Sequence, residues 1–600
     1  MLLTSWVRNF RQSLQTRRRG RRRGMDWQRQ ALHGHSGRNF RLSEALEDRM
    51  LLTAFVVDQQ FVNATTGPIN ITNTTIDVDS DGMPEFDSII IDAVSFDGIG
   101  GRGINIDLSG LTLTQIAVHD TTISGTQGTG INIALDDVRL DSLTIEGSSI
   151  NSSIGGGVDI SLTDVRLPEL TIAQTTIAGG LNAGLTVDIV SQTINSVIDE
   201  FDITESNIDG VDINARGLRK TIFSAQPTSP LELTVVDHGL QPGTLATVSG
   251  VQGLTAANTE AVIGLTTPAD ENLIVLQNTD GTGQAPYAGG GTLTVFTDIG
   301  CLRITDNTIA GSSGADGLSI DFTDVRAPHL EIENNVEIDS IDVTLAQSPL
   351  DGITIRNNPQ IDADRPQVDA INFNLTESTL TNLVIDQNTI RRNGQAGGEG
   401  VVFDSTDSNV YGTFTNNVVD NTLGNGLLFN ASATDEFVFQ NRGPAVFDFT
   451  GFSSETTLKT AIGSSTTTIE VVDARAFQPQ QIILIGHEQL FIESITGNTL
   501  NVLRGERGTL PVPHAAGVQV RSVTSSASGT VRSISGNTFS GNRFAGIAGT
   551  FLENASIEAD ITGNQFTGNQ RRGIDFVSQD TRAQQTTVAR GGISRTATTL

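Results

Sequence analysis

The 600-residue chain has one cysteine, Cys301, and two lysines, Lys220 and Lys459. A single thiol excludes an internal disulfide, so no covalent staple holds the fold together. With so little lysine, arginine carries almost all of the positive charge. Aromatic residues make up 5% of the chain against 37% hydrophobic residues, so the core is a slim one of Ile, Val and Leu. No apolar run reaches the roughly 20 residues that a membrane-spanning helix needs, which excludes a transmembrane segment of that kind. The opening Met-Leu-Leu-Thr-Ser-Trp-Val stretch before Arg8 is too short for the apolar region of a plain secretory signal.

Negative charge is plentiful but unevenly placed. The net charge is −31, yet residues 1–50 hold 12 Arg against Asp26, Glu44, Glu47 and Asp48, leaving −39 for the remainder. An acidic body disfavours nucleic acid as a partner and favours solubility or cation binding. Residues 1–54 therefore read as a basic, disordered leader centred on Arg17-Arg-Arg-Gly-Arg-Arg-Arg23. As a nucleic-acid arm it would face an acidic body. It also reads as a solvated tail or as a targeting element, and the stretch that follows it favours targeting.

The dominant pattern is a ladder. Gly103-Ile-Asn-Ile, Gly130-Ile-Asn-Ile, Gly157-Val-Asp-Ile, Gly184-Leu-Thr-Val and Gly210-Val-Asp-Ile follow one another in steps of 27, 27, 27 and 26 residues. Each Gly opens an alternation of aliphatic and polar residues, the period-two signature of a half-buried strand. A fixed period of this size marks a solenoid whose turns bury their apolar faces against one another. Leu143-Thr-Ile145, Leu170-Thr-Ile172 and Leu330-Glu-Ile332 form a second row of strands. A third runs through Ile304-x-x-Asn307, Ile385-x-x-Asn388, Ile534-x-x-Asn537 and Ile561-x-x-Asn564, where Asn at a corner tolerates left-handed backbone and its amides can bond along the axis.

The expected architecture is all-β: a right-handed parallel β-helix interrupted by two small β-barrel or β-rich modules. The rod occupies 55–221, 299–452 and 523–600, with a polar tail at its end, and the modules occupy 222–298 and 453–522. Gly210 to Gly317 spans one coil plus about 80 residues. The extra segment holds short strands and Gly turns, among them His238-Gly-Leu and Tyr287-Ala-Gly-Gly. About 15 coils, or about 70 Å of rod, are expected at ~4.8 Å per coil.

These rows resemble the right-handed parallel β-helix superfamily, pectin-lyase-like, of pectate lyases, polygalacturonases and bacterial surface proteins. The resemblance covers about two thirds of the chain and is specific for fold, not for activity. Leu46, Glu47, Arg49, Leu51 and Leu52 resemble the Leu-Glu-Pro-Arg/Leu-Leu sorting segment of large planctomycete surface proteins, with Asp48 in place of the Pro. That resemblance implies a secreted or cell-surface protein; the same residues also read as an N-terminal cap for the solenoid. Both inserted segments resemble β-modules of phage tail proteins. This implies no catalysis and raises phage-tail-like attachment as one alternative function.

Three groups of residues could carry chemistry. Asp77, Asp79 and Asp81 alternate ahead of Gly82, with Asp87 following, in the manner of an oxygen-ligand loop for Ca²⁺; the same residues also read as a solvated acidic turn. No other cofactor is indicated. Asp137-Val-Arg139, Asp164-Val-Arg166 and Asp324-Val-Arg326 recur at like places, where Asp and Arg rows could pair along the axis; they read first as solvated surface ladders and, as the alternative, as a polysaccharide-binding strip. For a β-helix hydrolase, Asn278-Thr-Asp280 and His238-Gly239 fall inside the first module, Asp136-Asp137 lacks partners and Arg303-Ile-Thr lacks the family's Lys. His238, His487 and His514 read as turn residues.

The sequence thus points to a non-catalytic secreted or cell-surface protein, structural or adhesive, that engages polysaccharide or another surface component. The alternative is a polysaccharide lyase or glycoside hydrolase acting on acidic polysaccharide. An enzyme would gather carboxylates and Arg from three neighbouring coils into one groove. An adhesin would show uniform polar ladders.

Overall fold

A computed structural model describes residues 55–578 and 594–595, apart from 58–59, 62–68, 77–85, 153–154, 179–181, 266–269, 278, 312–316, 363–367, 392–397, 441–446, 464, 486–487, 505–513, 515 and 528–531. From residue 55 onward the chain coils into a parallel β-helix with three sheets, of 16, 14 and 13 strands. One coil reads Arg139–Glu146 in the first sheet, Ser149–Ser152 in the second and Val158–Thr163 in the third. Its neighbours stack in strict register, Ile131 on Val158 and Val158 on Leu185. The later coils vary, with Leu318 on Ile341 and Ile341 on Ile371. Inward residues of all three sheets form one continuous apolar core from Ile71 to Ile561.

The corner glycines that set the period are explained by space. A Cβ on Gly130 would lie 2.4 Å from Ile150 Cγ2, and one on Gly157 2.3 Å from Ile177 Cγ2, with the next coil's carbonyl 2.7 Å away in both cases. No side chain fits where the chain turns into the third sheet.

The turn from the first sheet to the second holds a buried polar column. Thr121, Ser148, Thr175 and Ser206 begin it, and Asn307, Asn335, Asn358, Asn388, Asn417, Asn537 and Asn564 continue it. Each backbone N–H donates to the side chain one coil further on. The asparagines were expected here for their tolerance of left-handed backbone. The left-handed residue is instead the one before each, as at Asp306 (φ 59°), Asn334 (57°) and Gln387 (58°). The Asn itself is buried because its amide must reach both neighbouring coils.

Two antiparallel sheets interrupt the rod. The first has seven strands and runs from Leu218–Thr221 to Thr292–Val295, strands that pair with each other where the chain leaves and rejoins the rod. The rod continues at Thr297–Thr305. The second has six strands, Phe447–Thr457 to Gln519–Ala527. It enters within a first-sheet strand: Asn409–Tyr411 pair with Glu436–Val438, and Phe414–Thr415 pair with Ile534–Ser535. The two halves of one strand thus flank a whole module.

Candidate functional site

Both modules fold back onto the first sheet, and the cleft between the three bodies is the candidate site. The first module is anchored by the Asp-Val-Arg rows. Asp164 accepts from the backbone of Gln192 (2.6 Å) and Thr193 (3.0 Å) and from Thr193 Oγ1 (2.7 Å), holding the loop beneath the module. Asp324 pairs with Arg219 of the module's first strand, and Arg326 pairs with Glu260 at 2.5 Å while stacking on Phe296. The expected pairing of these Asp and Arg rows with each other along the axis is not formed among the described residues. Each Asp sits in left-handed backbone at the corner (φ 50°, 53° and 53° at Asp137, Asp164 and Asp324), and the carboxylates of Asp164 and Asp324 are taken by Gln192 and Thr193 and by Arg219.

The second module lies across the same sheet. Arg521 pairs with Asp199, and Gln489 Nε2 donates to Asp351 Oδ2 at 2.6 Å. Ile482 and Leu484 cover Cys301, and that burial pushes the Cys301 thiol's pKa up. Such a thiol is neither nucleophile nor ready metal ligand.

Where the modules meet, a buried chain of charge runs between them. Arg326 of the rod bonds Glu260 of the first module. Glu260 Oε2 lies 3.6 Å from Nδ1 of His514 in the second module, and His514 Nε2 lies 2.9 Å from Glu488 Oε2, which is held in turn by Arg504. Glu260, Glu488 and His514 are each at most 3% exposed, so this is a tie within the fold and not a surface pair. His514 does more than shape a turn. The sequence signal for it was thin: Glu488, Arg504 and His514 lie in one module, but nothing in any repeat links them to Glu260.

The cleft beside this chain has a volume of about 470 Å³. Arg166, Asp199, Asp298 and Arg326 come to it from successive coils, and Arg521 from the second module. Leu245 and Val262 of the first module and Leu484 and Val518 of the second form apolar walls. The volume is typical of a small-molecule site, and location at an interdomain junction is common for one. Carboxylates and arginines do converge here from neighbouring coils, but Asp199 is tied to Arg521 and Arg326 to Glu260.

Away from the cleft, the same sheet carries charges paired across coils. Arg303 takes Asp202 in two bonds (2.8 and 3.1 Å) and Glu200 at 3.4 Å. Burial works against the charge on Arg303, but the hydrogen bonds to Asp202 and the negative charges around it, Asp202 and Glu200 among them, together outweigh it and raise its pKa. Arg356 lies between Glu333 (3.6 Å) and Asp386 (3.7 Å). Asp136 has its pKa raised by burial, then by Asp164 and Asp137. His238 is a buried turn residue whose Nδ1 accepts from Leu240 N at 3.0 Å.

Of the proposed calcium ligands, Asp77, Asp79 and Asp81 lie outside the described residues; Asp87 is half-buried and accepts from Ser88 Oγ at 3.1 Å. Leu46, Glu47, Arg49, Leu51 and Leu52 also lie outside them. Among the described residues no group of three His, Cys, Asp or Glu is placed to hold a metal, and no helix is long and apolar enough to cross a membrane. Neither a protein-family model nor a curated protein matches this sequence.

Proposed function

We propose that this chain is a non-catalytic structural or adhesive protein of the cell surface or surrounding medium, whose rod presents two modules and the cleft between them to a polysaccharide or similar surface component. The observation that carries this reading is the fixed seating of both modules on one sheet by buried ion pairs. A rod that holds two attached modules in one geometry offers a preorganised surface, which lowers the ordering cost of binding. Of the carboxylates in the cleft, Asp199 is already committed to Arg521.

A second reading, an enzyme acting on acidic polysaccharide, is favoured by one observation. Arg166, Asp199, Asp298 and Arg326 converge on the cleft from successive coils. One experiment separates the two. The purified protein is mixed with polygalacturonate and with alginate, and retention in affinity electrophoresis is measured alongside new reducing ends and unsaturated products. Retention without product supports presentation. Product formation that Asp298→Asn abolishes overturns it in favour of catalysis, and neither retention nor product overturns the polysaccharide partner.

Export is tested separately by mapping the protein's N-terminus in cell fractions by mass spectrometry. Recovery from envelope or medium supports a surface role. An intact Met1 chain confined to the cytosol overturns it.

A further inference from the structure

The three Asp-Val-Arg copies meet two different fates. In the third, Arg326 is buried, paired with Glu260 and stacked on Phe296. In the first two, Arg139 and Arg166 are exposed, and among the described residues neither has a hydrogen bond or an ion pair from its side chain. They are register partners on adjacent strands of the first sheet, so their backbones lie ~4.8 Å apart. Like charges stacked this closely repel even through water. Asp137, Asp141 and Glu169 stand exposed on the same coils, yet none of them pairs with either arginine. A chain of net charge −31 thus leaves two stacked guanidiniums unneutralised.

Their position ties them to the cleft. One outward row of the first sheet runs Thr112, Arg139, Arg166, Val197, Asp298 and Arg326. Its last four members line the cleft, and exposed Thr112 and Arg139 carry it onto open sheet. Arg166 therefore stands at the mouth, with Arg139 one coil outside. Of the other arginines lining the cleft, Arg326 is committed to Glu260 and Arg521 to Asp199. We propose that Arg139 and Arg166 form an oxyanion subsite at this mouth. The ligand is then an anionic polysaccharide, held by a carboxylate or sulfate on the arginine pair, with a sugar ring between the apolar walls of Leu245 and Val262 and of Leu484 and Val518. A guanidinium presents a planar fork of donors that matches such oxygens. A bound anion also relieves the repulsion within the pair, which a neutral sugar does not. The inference rests on the reading of the chain as polysaccharide-binding, and adds the partner's charge and its direction along the rod.

Two matched pairs of polymers test it: polygalacturonate against its methyl ester, and dextran sulfate against dextran. Dissociation constants for the full-length protein are measured by affinity electrophoresis. The protein's net charge repels polyanions, so tighter retention by a charged polymer than by its neutral partner reports a local site. Which pair shows the difference tells carboxylate from sulfate. Arg139→Gln and Arg166→Gln should each weaken that retention roughly tenfold, the loss of one charge-assisted hydrogen bond. Arg391→Gln removes the same charge from an exposed position on the second sheet and should leave retention near wild type. Equal retention within both pairs overturns the subsite and leaves polysaccharide presentation standing. So does unchanged retention in Arg139→Gln and Arg166→Gln, or an equal loss in Arg391→Gln, since net charge alone would then be at work. No retention by any of the four polymers overturns the subsite together with the polysaccharide partner.

Discussion

The coils before the first module and those after it build the same corner in different ways. Up to Ser206 the buried column between first and second sheets is made of hydroxyls, and from Ser148 on each makes two bonds: Thr175 Oγ1 accepts from Ser148 N and donates to Ala173 O. From Asn307 onward it is made of amides. Asn388 accepts from the N–H and side chain of Asn358 and donates to Asn417 and to Ile355 O. The apolar row behind it changes too. Ile133, Ile160, Val187, Ile213, Ile320 and Val343 give way, position for position, to Phe373, Phe403 and Phe429. Most early coils keep a 27-residue period, with steps of 35 from Ile69 to Ile104 and 31 from Thr175 to Ser206, whereas later ones run from 23 to 30 and one step, from Asn417 to Asn537, spans 120 residues. Where chain length no longer enforces register, a side chain that grips both neighbouring coils and a stacked ring do so instead.

That contrast breaks first at the rings. Phe403 stacks on Phe373 at 4.7 Å and on Phe429 at 5.3 Å, with Phe437 and Phe439 edge-on. Phe403→Ala should cost about 3–5 kcal/mol, against about 0.5–1.5 kcal/mol for Ile160→Val in the same row. Denaturant melts measure both, and hydrogen exchange should place the Phe403→Ala loss in the coils next to it, since solenoid turns contact only their neighbours. A Phe403→Ala loss as small as that of Ile160→Val would show that the ring stack does not hold these coils together.

The polar column comes next. Asn388→Ala strips partners from the buried Asn358 N–H, the Asn358 amide and Ile355 O. The expected cost is about 3 kcal/mol, because each orphaned buried group costs on the order of 1–3 kcal/mol and some relax. Thr175→Val removes one acceptor and one donor at nearly constant volume, for about 1 kcal/mol. If the two cost the same, the amide column is no tighter than the hydroxyl one.

Much of the rod could be read directly from the residues. Gly130 and Gly157 recur because each corner excludes a Cβ, and Asn388 and Asn537 recur because each coil needs the same amide. A local requirement repeated in every coil leaves a periodic trace. The left-handed position beside each Asn left a weaker one, since Asp306, Asn334, Gln387 and Gly536 all satisfy it. The junction left none. Glu260, Arg326 and His514 meet once, across two insertions that break the period, and what a residue meets only once cannot be seen as a repeat. Asp-Val-Arg was visible as a motif, but its partners were not, because Arg219 and Glu260 belong to an inserted sheet.

The smallest expected effect lies at the opposite corner, where later coils return to hydroxyls. Ser348, Ser378 and Ser408 pass the column to Asp435, whose carboxylate accepts from Ser408 N at 2.6 Å and Ser432 N at 2.7 Å. Burial raises the Asp435 pKa above 3.8 despite these bonds. The folded form therefore binds a proton more readily than the unfolded one. Stability should rise as pH falls through the folded value towards 3.8, and the penalty should be fully present above it. Acidification also relieves repulsion in a chain of net charge −31, so the wild-type slope alone is not diagnostic. Asp435→Asn keeps an acceptor for Ser408 and cannot titrate. Melting temperatures from about pH 7 to pH 4 should rise less steeply in that variant. Parallel curves would mean that Asp435 ends the column without feeling its burial, and that an amide or a carboxylate serves equally there.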